Sequence, residues 1–510
     1  MRRRVVGLFV VAGAMVLAGC GGGGGGTTGG GGFIGSPNPT PQPTSARTFS
    51  VSNGGNSTFA LVSTAVGTSD GDTSIATGSA TVSRVVRYRV LHREVAARGA
   101  VTPGVTPVDY DNLPQLDFFV AETNQTVTLN NRTPGVLGNA GTRPSTIVTY
   151  VDQVNGQDVI STADLQKTIN AWETSNPFGA NGNAGIYNTT RGIFGSEWTA
   201  GGGRDGDPRV VVLFLNTEHM GDPALFGFVD LNDEMAPRGQ TVGGQPSNGG
   251  EIIYVQAQPT SVSNFFQGDG FDGFATLAHE LHHLIIFNNK VAQQGAFPSN
   301  AQPEETTIDE GLSTLAEEDN GFNLTATGGG NSFMFDAIQG YETTPQAIDN
   351  FFVFNDLLQD FGKGYLFFKH VQEAHGLSAI TAIDESTGTG SANVTAKLGT
   401  SFGNELQAEA IANYVSGLPG SSSFTYPDLN LAGTFSLHAN NNSADAFTSK
   451  LPGISVEATV PGVTAVEAWS ALYLGVSVPS GSSTITVNLP ANQETSLVQL
   501  QNGSVTSVTF

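Results

Sequence analysis

The polar and apolar positions of this chain fall into three textures. From about Thr48 to Gln125, stretches such as TFALVSTAV (58–66) and SRVVRYRVL (83–91) alternate with Gly, Asn, Asp and Pro. That is the period-two pattern of short strands between turns, and it predicts a small β domain. The middle of the chain changes period. STADLQKTINAWET (161–174) predicts a helix, with Ser161 and Asp164 spaced as a capping box. RVVVLFL (209–215) and EIIYVQ (251–256) predict strands, and DGFATLAHELHHLIIFNN (272–289) predicts a helix with Asp272 near its N-cap. PEETTIDEGLSTLAEEDNG (303–321) predicts another, with Pro303 near its start and Asn320-Gly321 as its stop. DFGKGYLFFKHVQEAHG (360–376) and GNELQAEAIANYVSG (403–417) are two more, each closed by glycine. From about Ser422 the alternation returns, as in STITVNLP (483–490), and predicts a second β module.

Composition sharpens this outline. The chain has 510 residues, of which only 13% are charged, with 66 glycines, the texture of a secreted, loop-rich protein. Its net charge of −24, with no long basic cluster after Met1-Arg-Arg-Arg, leaves nothing to neutralise phosphates and excludes a nucleic-acid partner. The start reads as a signal peptide: a charged opening, a short apolar core from Val5 to Leu17, then LAGC ending at Cys20. That tetrad resembles the lipobox of bacterial lipoproteins, which implies lipidation of Cys20 and a chain held outside the cytoplasm, its only membrane contact the N-terminal lipid. Cys20 is the only cysteine, so no intrachain disulfide can form. The run from 21 to 47 is rich in Gly, then Pro and Thr, and suits a tether.

One helix carries more chemistry than its surroundings explain. Apolar residues cover most of the 272–289 helix, which is the mark of a buried helix. Within it lie His279, Glu280, His282 and His283, three of only eight histidines in the chain. His279-Glu280-Leu281-His282-His283 is an HExxH sequence. Imidazoles four residues apart share a helix face and can both reach one Zn²⁺, with Glu280 beside the ion's water as general base. The competing reading is a histidine pair bridging a carboxylate in a core. His282 faces elsewhere and is expected to be structural. A third ligand must come from outside the motif. The extended form HExxHxxGxxH fails, because Ile286 and Asn289 stand where Gly and His are needed. The next helix offers Glu310, ahead of Gly311, with Glu304, Glu305, Glu317 and Glu318 as competitors; spacing and the Glu-Gly step favour Glu310.

TLAHELHHLIIFNN followed by IDEGLSTLAEE resembles the gluzincin metallopeptidases, and within them the hyicolysin family of secreted bacterial peptidases. GIFGSEW, DGDPRVVVLFLN and SNGGEIIYVQ upstream and GKGYLFFKHVQEAHG downstream agree with this, so the resemblance spans residues 145 to 415. It implies zinc held by His279, His283 and Glu310, with Glu280 as base, in an α+β chain. With the flanking segments read from their own residues, the expected layout is a signal peptide (1–20), a linker (21–47), an N-terminal β domain (48–144), a catalytic domain of small sheet plus helical zinc-binding part (145–420) and a C-terminal β-sandwich-like module (421–510).

One position departs from the family. Gluzincins of aminopeptidase type place an oxyanion-steadying tyrosine before a Lys-Gly step, and Phe361 stands there in DFGKGYLFF. Tyr365, one turn on, is the nearest substitute, with His370 and His375 as others. EIIYVQ is either an edge strand that pairs with a peptide substrate or an ordinary buried strand. The Asp-Gly loops SDGDTS (69–74), GGGRDGDP (201–208) and FVDLNDEM (228–235) suit either structural Ca²⁺ or plain turns. The expected function is a lipid-anchored zinc endopeptidase acting on protein or peptide. The alternative is a surface adhesin or glycan-binding lipoprotein whose zinc is structural.

Overall fold

The chain's first two strands, β1 (Thr44–Asn53) and β2 (Ser57–Ala65), find their partners at the other end of the sequence. This is seen in a computed structural model, which describes residues 44–53, 57–66, 108–179, 184–198, 203, 205–242, 244–258, 265–294, 303–344, 349–355, 357–421, 426–439, 442–454, 469–476, 481–490 and 493–509. The leader, Cys20, linker residues 21–43, SRVVRYRVL and SDGDTS lie outside the described residues, while residues 44–47, expected to close the linker, already belong to β1.

A six-stranded sheet forms the centre. It comprises β3 (Gln115–Val120), β4 (Gln125–Asn131), β5 (Ile147–Val151), β6 (Val210–Leu215), β7 (Gly227–Val229) and β8 (Ile252–Gln256), in the order β3-β4-β5-β6-β8-β7. β5, β6 and β8 run parallel, while β7 is antiparallel to β8 and forms one edge. Alternate residues of β6 feed two cores. Val210, Val212 and Phe214 pack on the helical side, and Val211, Leu213 and Leu215 pack with Tyr110, Phe118 and Tyr254 on the other. RVVVLFL reads as an unbroken apolar run because a central parallel strand buries both faces. EIIYVQ is β8, with a strand on each side, so the buried-strand reading of it holds and the edge belongs to β7.

Nine helices of eight or more residues are described: α1 (Thr162–Glu173), α2 (Ile186–Phe194), α3 (Phe271–Lys290), α4 (Thr306–Asp319), α5 (Ser332–Thr343), α6 (Leu358–His375), α7 (Leu377–Asp384), α8 (Gly390–Leu398) and α9 (Phe402–Val415). None of them is long and apolar enough to cross a membrane. Two of the caps are those the sequence announces, whereas α3 starts at Phe271 with Gly270 at its N-cap and Asp272 inside its first turn. Ser161 Oγ accepts from the Asp164 amide at 3.1 Å, and Asn320 caps α4. Gly321 then turns the chain at φ +90°, where a Cβ would fall 2.0 Å from the Phe178 carbonyl oxygen.

The Gly362-Lys363-Gly364 step of α6 is built for close packing on two sides. A Cβ on Gly362 would lie 2.2 Å from the Ala337 carbonyl oxygen of α5, and one on Gly364 would lie 2.5 Å from that of Thr307 on α4. Lys363 between them is buried, and its ammonium donates to Asp349, Asp360 and the carbonyls of Asn350 and Val353. Burial alone would pull its pKa down, but the two aspartates hold it above the usual lysine value.

The remaining described strands longer than two residues are β9 (Thr434–Ala439), β10 (Asn442–Lys450), β11 (Ser470–Val476), β12 (Gly481–Pro490), β13 (Gln493–Gln501) and β14 (Ser504–Thr509). β9 and β10 form a hairpin. β12 pairs with β1 along its whole length, and β2 sits between β11 and β13 in a sheet ordered β11-β2-β13-β14. α9 covers that sheet through Ala410, Ile411 and Val415 against Val62, Tyr473 and Val498. The described strands of 48–144 therefore do not gather into a domain of their own. Two belong with the C-terminal strands, and β3 and β4 extend the central sheet. Alternation identifies a strand but carries no information about its partner.

Beneath this sheet Glu409 is buried, with Asn413 Nδ2 donating to one carboxyl oxygen. Desolvation pushes its pKa up to about 8. A carboxyl with a raised folded pKa binds its proton more tightly in the fold than in the unfolded chain. The contribution of this group to stability is therefore fully present below the unfolded value and is lost as pH rises from there through about 8. Glu409→Gln is expected to melt a few degrees above wild type at pH 8, with the gap closing toward pH 5. Thermal scans across that range read it, and a gap that ignores pH refutes the ionisation cost.

Candidate metal centre

α3 is buried around its whole circumference. Phe274, Leu277, Ala278, Leu281 and Ile285 have no measurable exposure, and His279, Glu280, His282 and His283 are buried with them. It packs against α2, α4, β7 and β8, and its histidines meet α4. His279 Nε2 lies 3.1 Å from Glu310 Oε2, and His283 Nε2 lies 3.6 Å from the same oxygen. Ligand atoms of His279, His283 and Glu310 all fall within 4.8 Å of one another.

The opposite nitrogens are held by carboxylates. His279 Nδ1 is 2.9 Å from Glu317 Oε1, and His283 Nδ1 is 2.8 Å from Asp309 Oδ1. Asn331 Nδ2 in turn donates to Glu317 Oε2 at 2.7 Å. An Nδ1–H given to a carboxylate leaves the Nε2 lone pair for a metal, and both rings share this arrangement. The electrostatics also ask for a cation. Burial pulls the His279 pKa down, but Glu310 and Glu317 outweigh it and push it up to about 9. Burial likewise opposes the charge on His283, and Asp309 and Glu310 carry its pKa well above the usual value. Three carboxylates around two imidazoles in a dry core thus select for positive charge. A divalent cation between the Nε2 atoms and Glu310 satisfies the same need.

The structure also sorts the competing glutamates. Glu304 lies 3.4 Å from the Lys290 ammonium and accepts from the Gly390 amide, Glu318 accepts from Tyr365 and Lys369, and Glu317 stands behind His279. Only Glu310 faces both histidines.

Tyr365, expected to steady an oxyanion, is placed differently. Its buried hydroxyl donates to Glu318 Oε2 at 2.8 Å, eight residues or about 12 Å along α4 from Glu310. It does not line the cleft beside His279. Nor do the other substitutes: His375 faces Glu405 at 3.1 Å, and His370 packs near the Tyr426 ring. Phe361 sits behind Phe333, whose own ring borders the cleft.

That cleft is a narrow cavity of about 50 Å³ that opens to solvent. Thr276, His279 and Glu280 of α3 form its floor, and Phe226, Gly227 and Phe333 form its walls. Gly227 opens β7 directly over Glu280. A Cβ there would be 2.7 Å from Thr276 Cγ2 and 3.0 Å from Glu280 Oε1.

Asp309, Glu317 and Asn331 were not singled out by sequence as supports. The first two carry a signal, since Glu317 lies seven residues after Glu310 on the same helical face and Asp309 adjoins it. Phe226 and Gly227 carry none. The Asp-rich loops that fall within the described residues are caps and cross-links. Asp205 accepts from the Tyr110 hydroxyl at 2.6 Å, Asp230 accepts from the Asn232 amide, and Asp233 accepts from the Tyr254 hydroxyl.

Scans against protein-family models and a search of characterised proteins find no match. Fold and site together define a mixed α+β protein with a buried His279–His283–Glu310 group that could hold a metal ion.

Proposed function

We propose that this protein is a zinc-dependent endopeptidase carried outside the cytoplasm on an N-terminal lipid at Cys20. The observation that carries the activity is the convergence of two Nε2 atoms on Glu310, with His279 of that group and Glu280 both lining one cleft. Two imidazoles, each with a carboxylate at its far nitrogen, and one further carboxylate form a three-ligand set that would suit Zn²⁺ of the catalytic rather than the structural kind. The resemblance of the HExxH and IDEGLSTLAEE segments to gluzincins supports the same reading.

The residues divide the work. Zn²⁺, when bound, supplies Lewis acidity to water and to the scissile carbonyl. Glu280 accepts the proton of the attacking water on its carboxylate and returns it to the leaving amine. Asp309 and Glu317 keep the two imidazoles in the tautomer that presents Nε2. β7, the edge of the central sheet beside Glu280, supplies the backbone row on which an extended peptide pairs, and Phe226 and Phe333 give its side chains apolar walls. The lipid anchor rests on LAGC and the tether that follows it.

The test is direct. Purified protein is expected to carry one zinc per chain and to cleave casein or quenched fluorescent peptides. Activity should vanish with 1,10-phenanthroline and return with added Zn²⁺. Zinc present without any hydrolysis refutes the enzyme and leaves a structural site.

A further inference from the structure

His282 is the one histidine of the HExxH segment to which this mechanism gives no task. It is fully buried, and both its ring nitrogens are engaged. We propose that Asp384, His282 and Ser313 form a hydrogen-bonded relay that fixes the proton of His283 on Nδ1 and so positions its Nε2 as a metal ligand. The proposal rests on the metal-binding reading above and assigns His282 as a positioning residue within it.

The chain of contacts runs through three helices. Asp384 Oδ1 on α7 is 3.2 Å from His282 Nε2, His282 Nδ1 on α3 is 2.8 Å from Ser313 Oγ, and Ser313 Oγ on α4 is 3.1 Å from His283 Nδ1. The direction of each link follows from what the groups can donate. A carboxylate only accepts, so His282 Nε2 carries a hydrogen. In a neutral imidazole Nδ1 then accepts, so the Ser313 hydroxyl donates to it. The Ser313 oxygen is left with a lone pair for the His283 Nδ1–H, which it shares with Asp309 Oδ1 at 2.8 Å. The lone pair of neutral His283 is thereby directed to Nε2, toward Glu310.

The far end of the relay is fixed as well. Asn289 Nδ2 donates to Asp384 Oδ2 at 2.9 Å, and the Phe194 ring meets the His282 ring edge-on, with centroids 4.6 Å apart. Ligand atoms of His282, His283 and Asp309 also lie within 4.8 Å of one another, a spacing that a second cation could use. The Ser313 oxygen, bonded to both Nδ1 atoms, occupies that space. The chemistry there is a hydrogen-bond relay rather than a second metal site.

The experiment compares wild type with Ser313→Ala, His282→Gln, Asp384→Asn and the double variant His282→Gln/Ser313→Ala. Zn²⁺ affinity is measured by chelator competition at fixed pH, the visible spectrum is recorded with Co²⁺ in place of Zn²⁺, and the melting temperature is taken without metal. Each single change is expected to weaken Zn²⁺ binding by about 10-fold or more and to shift the Co²⁺ bands. Ser313→Ala should leave the metal-free melting temperature nearly unchanged. The double variant should bind no more weakly than its weaker parent, because one relay is broken once. Unchanged affinity and Co²⁺ spectrum in Ser313→Ala, or losses that multiply in the double variant, overturn the relay alone. Two ions per wild-type chain, one lost in His282→Gln, overturn it in favour of a ligand role. A wild type that takes up no ion overturns the metal-binding reading and the relay together.

Discussion

Glu280→Gln is expected to cut peptide hydrolysis by about 10³-fold or more while zinc stays at one per chain. General-base catalysis is worth roughly 10²–10⁴ in rate, and Gln keeps the shape of Glu while losing the ability to take a proton. The surroundings make the substitution a clean one. Glu280 is 1% exposed, with an oxygen in the space that Gly227 leaves open, so an isosteric amide meets no new contact. The ligand set of His279, His283 and Glu310 does not include it. Elemental analysis and a peptide assay on the same samples separate the outcomes. Undiminished hydrolysis removes Glu280 from the mechanism, and loss of zinc with activity makes it a ligand.

The second large effect is expected at the crossing of α4 and α6, next to Glu310. A Cβ on Gly311 would lie 2.5 Å from the Gly364 carbonyl carbon, and one on Gly364 would come within 3.0 Å of Gly311 Cα. Backbone faces backbone here, so no side-chain rotation relieves the clash and the helices must part. Overpacking a core costs about 1–3 kcal/mol, and this contact lies at or above the upper end. Gly311→Ala and Gly364→Ala are each expected to lower the melting temperature by several degrees. They should also weaken Zn²⁺ binding, because Glu310 adjoins the displaced residue. Gly192→Ala on α2 is the control: its Cβ meets nothing within 4 Å, and it should be neutral or slightly stabilising. Equal behaviour of all three variants would show that the crossing carries no strain.

That crossing also shows what the sequence could and could not say. HExxH was legible because four-residue spacing on a helix is a geometric statement, and Glu310 was favoured over its neighbours by its spacing and the Glu-Gly step. The strands at 209–215 and 251–256 and the helix ends at Ser161 and Asn320 were legible for the same local reasons. The Lys-Gly step was legible only as a motif neighbour. Its glycines serve the approach of α4 and α5, and Tyr365 follows the helix to Glu318, away from the cleft. β7 escaped notice because three residues opening on glycine have no period. The division at residue 144 did not appear because pairing partners, unlike strand character, are set by the whole fold.

The seam between the chain's two ends has a consequence for the order of events in the cell. The Ser63 and Thr495 side chains are hydrogen-bonded across 432 residues of sequence. A polypeptide is delivered from its N-terminus, so β1 and β2 emerge first and stay unmatched until β11, β12 and β13 have followed. A chain interrupted anywhere before residue 470 leaves β2 with neither neighbour, an exposed row of backbone donors and acceptors. β1 and β2 thus complete their pairing only after residues 470–501 have been made.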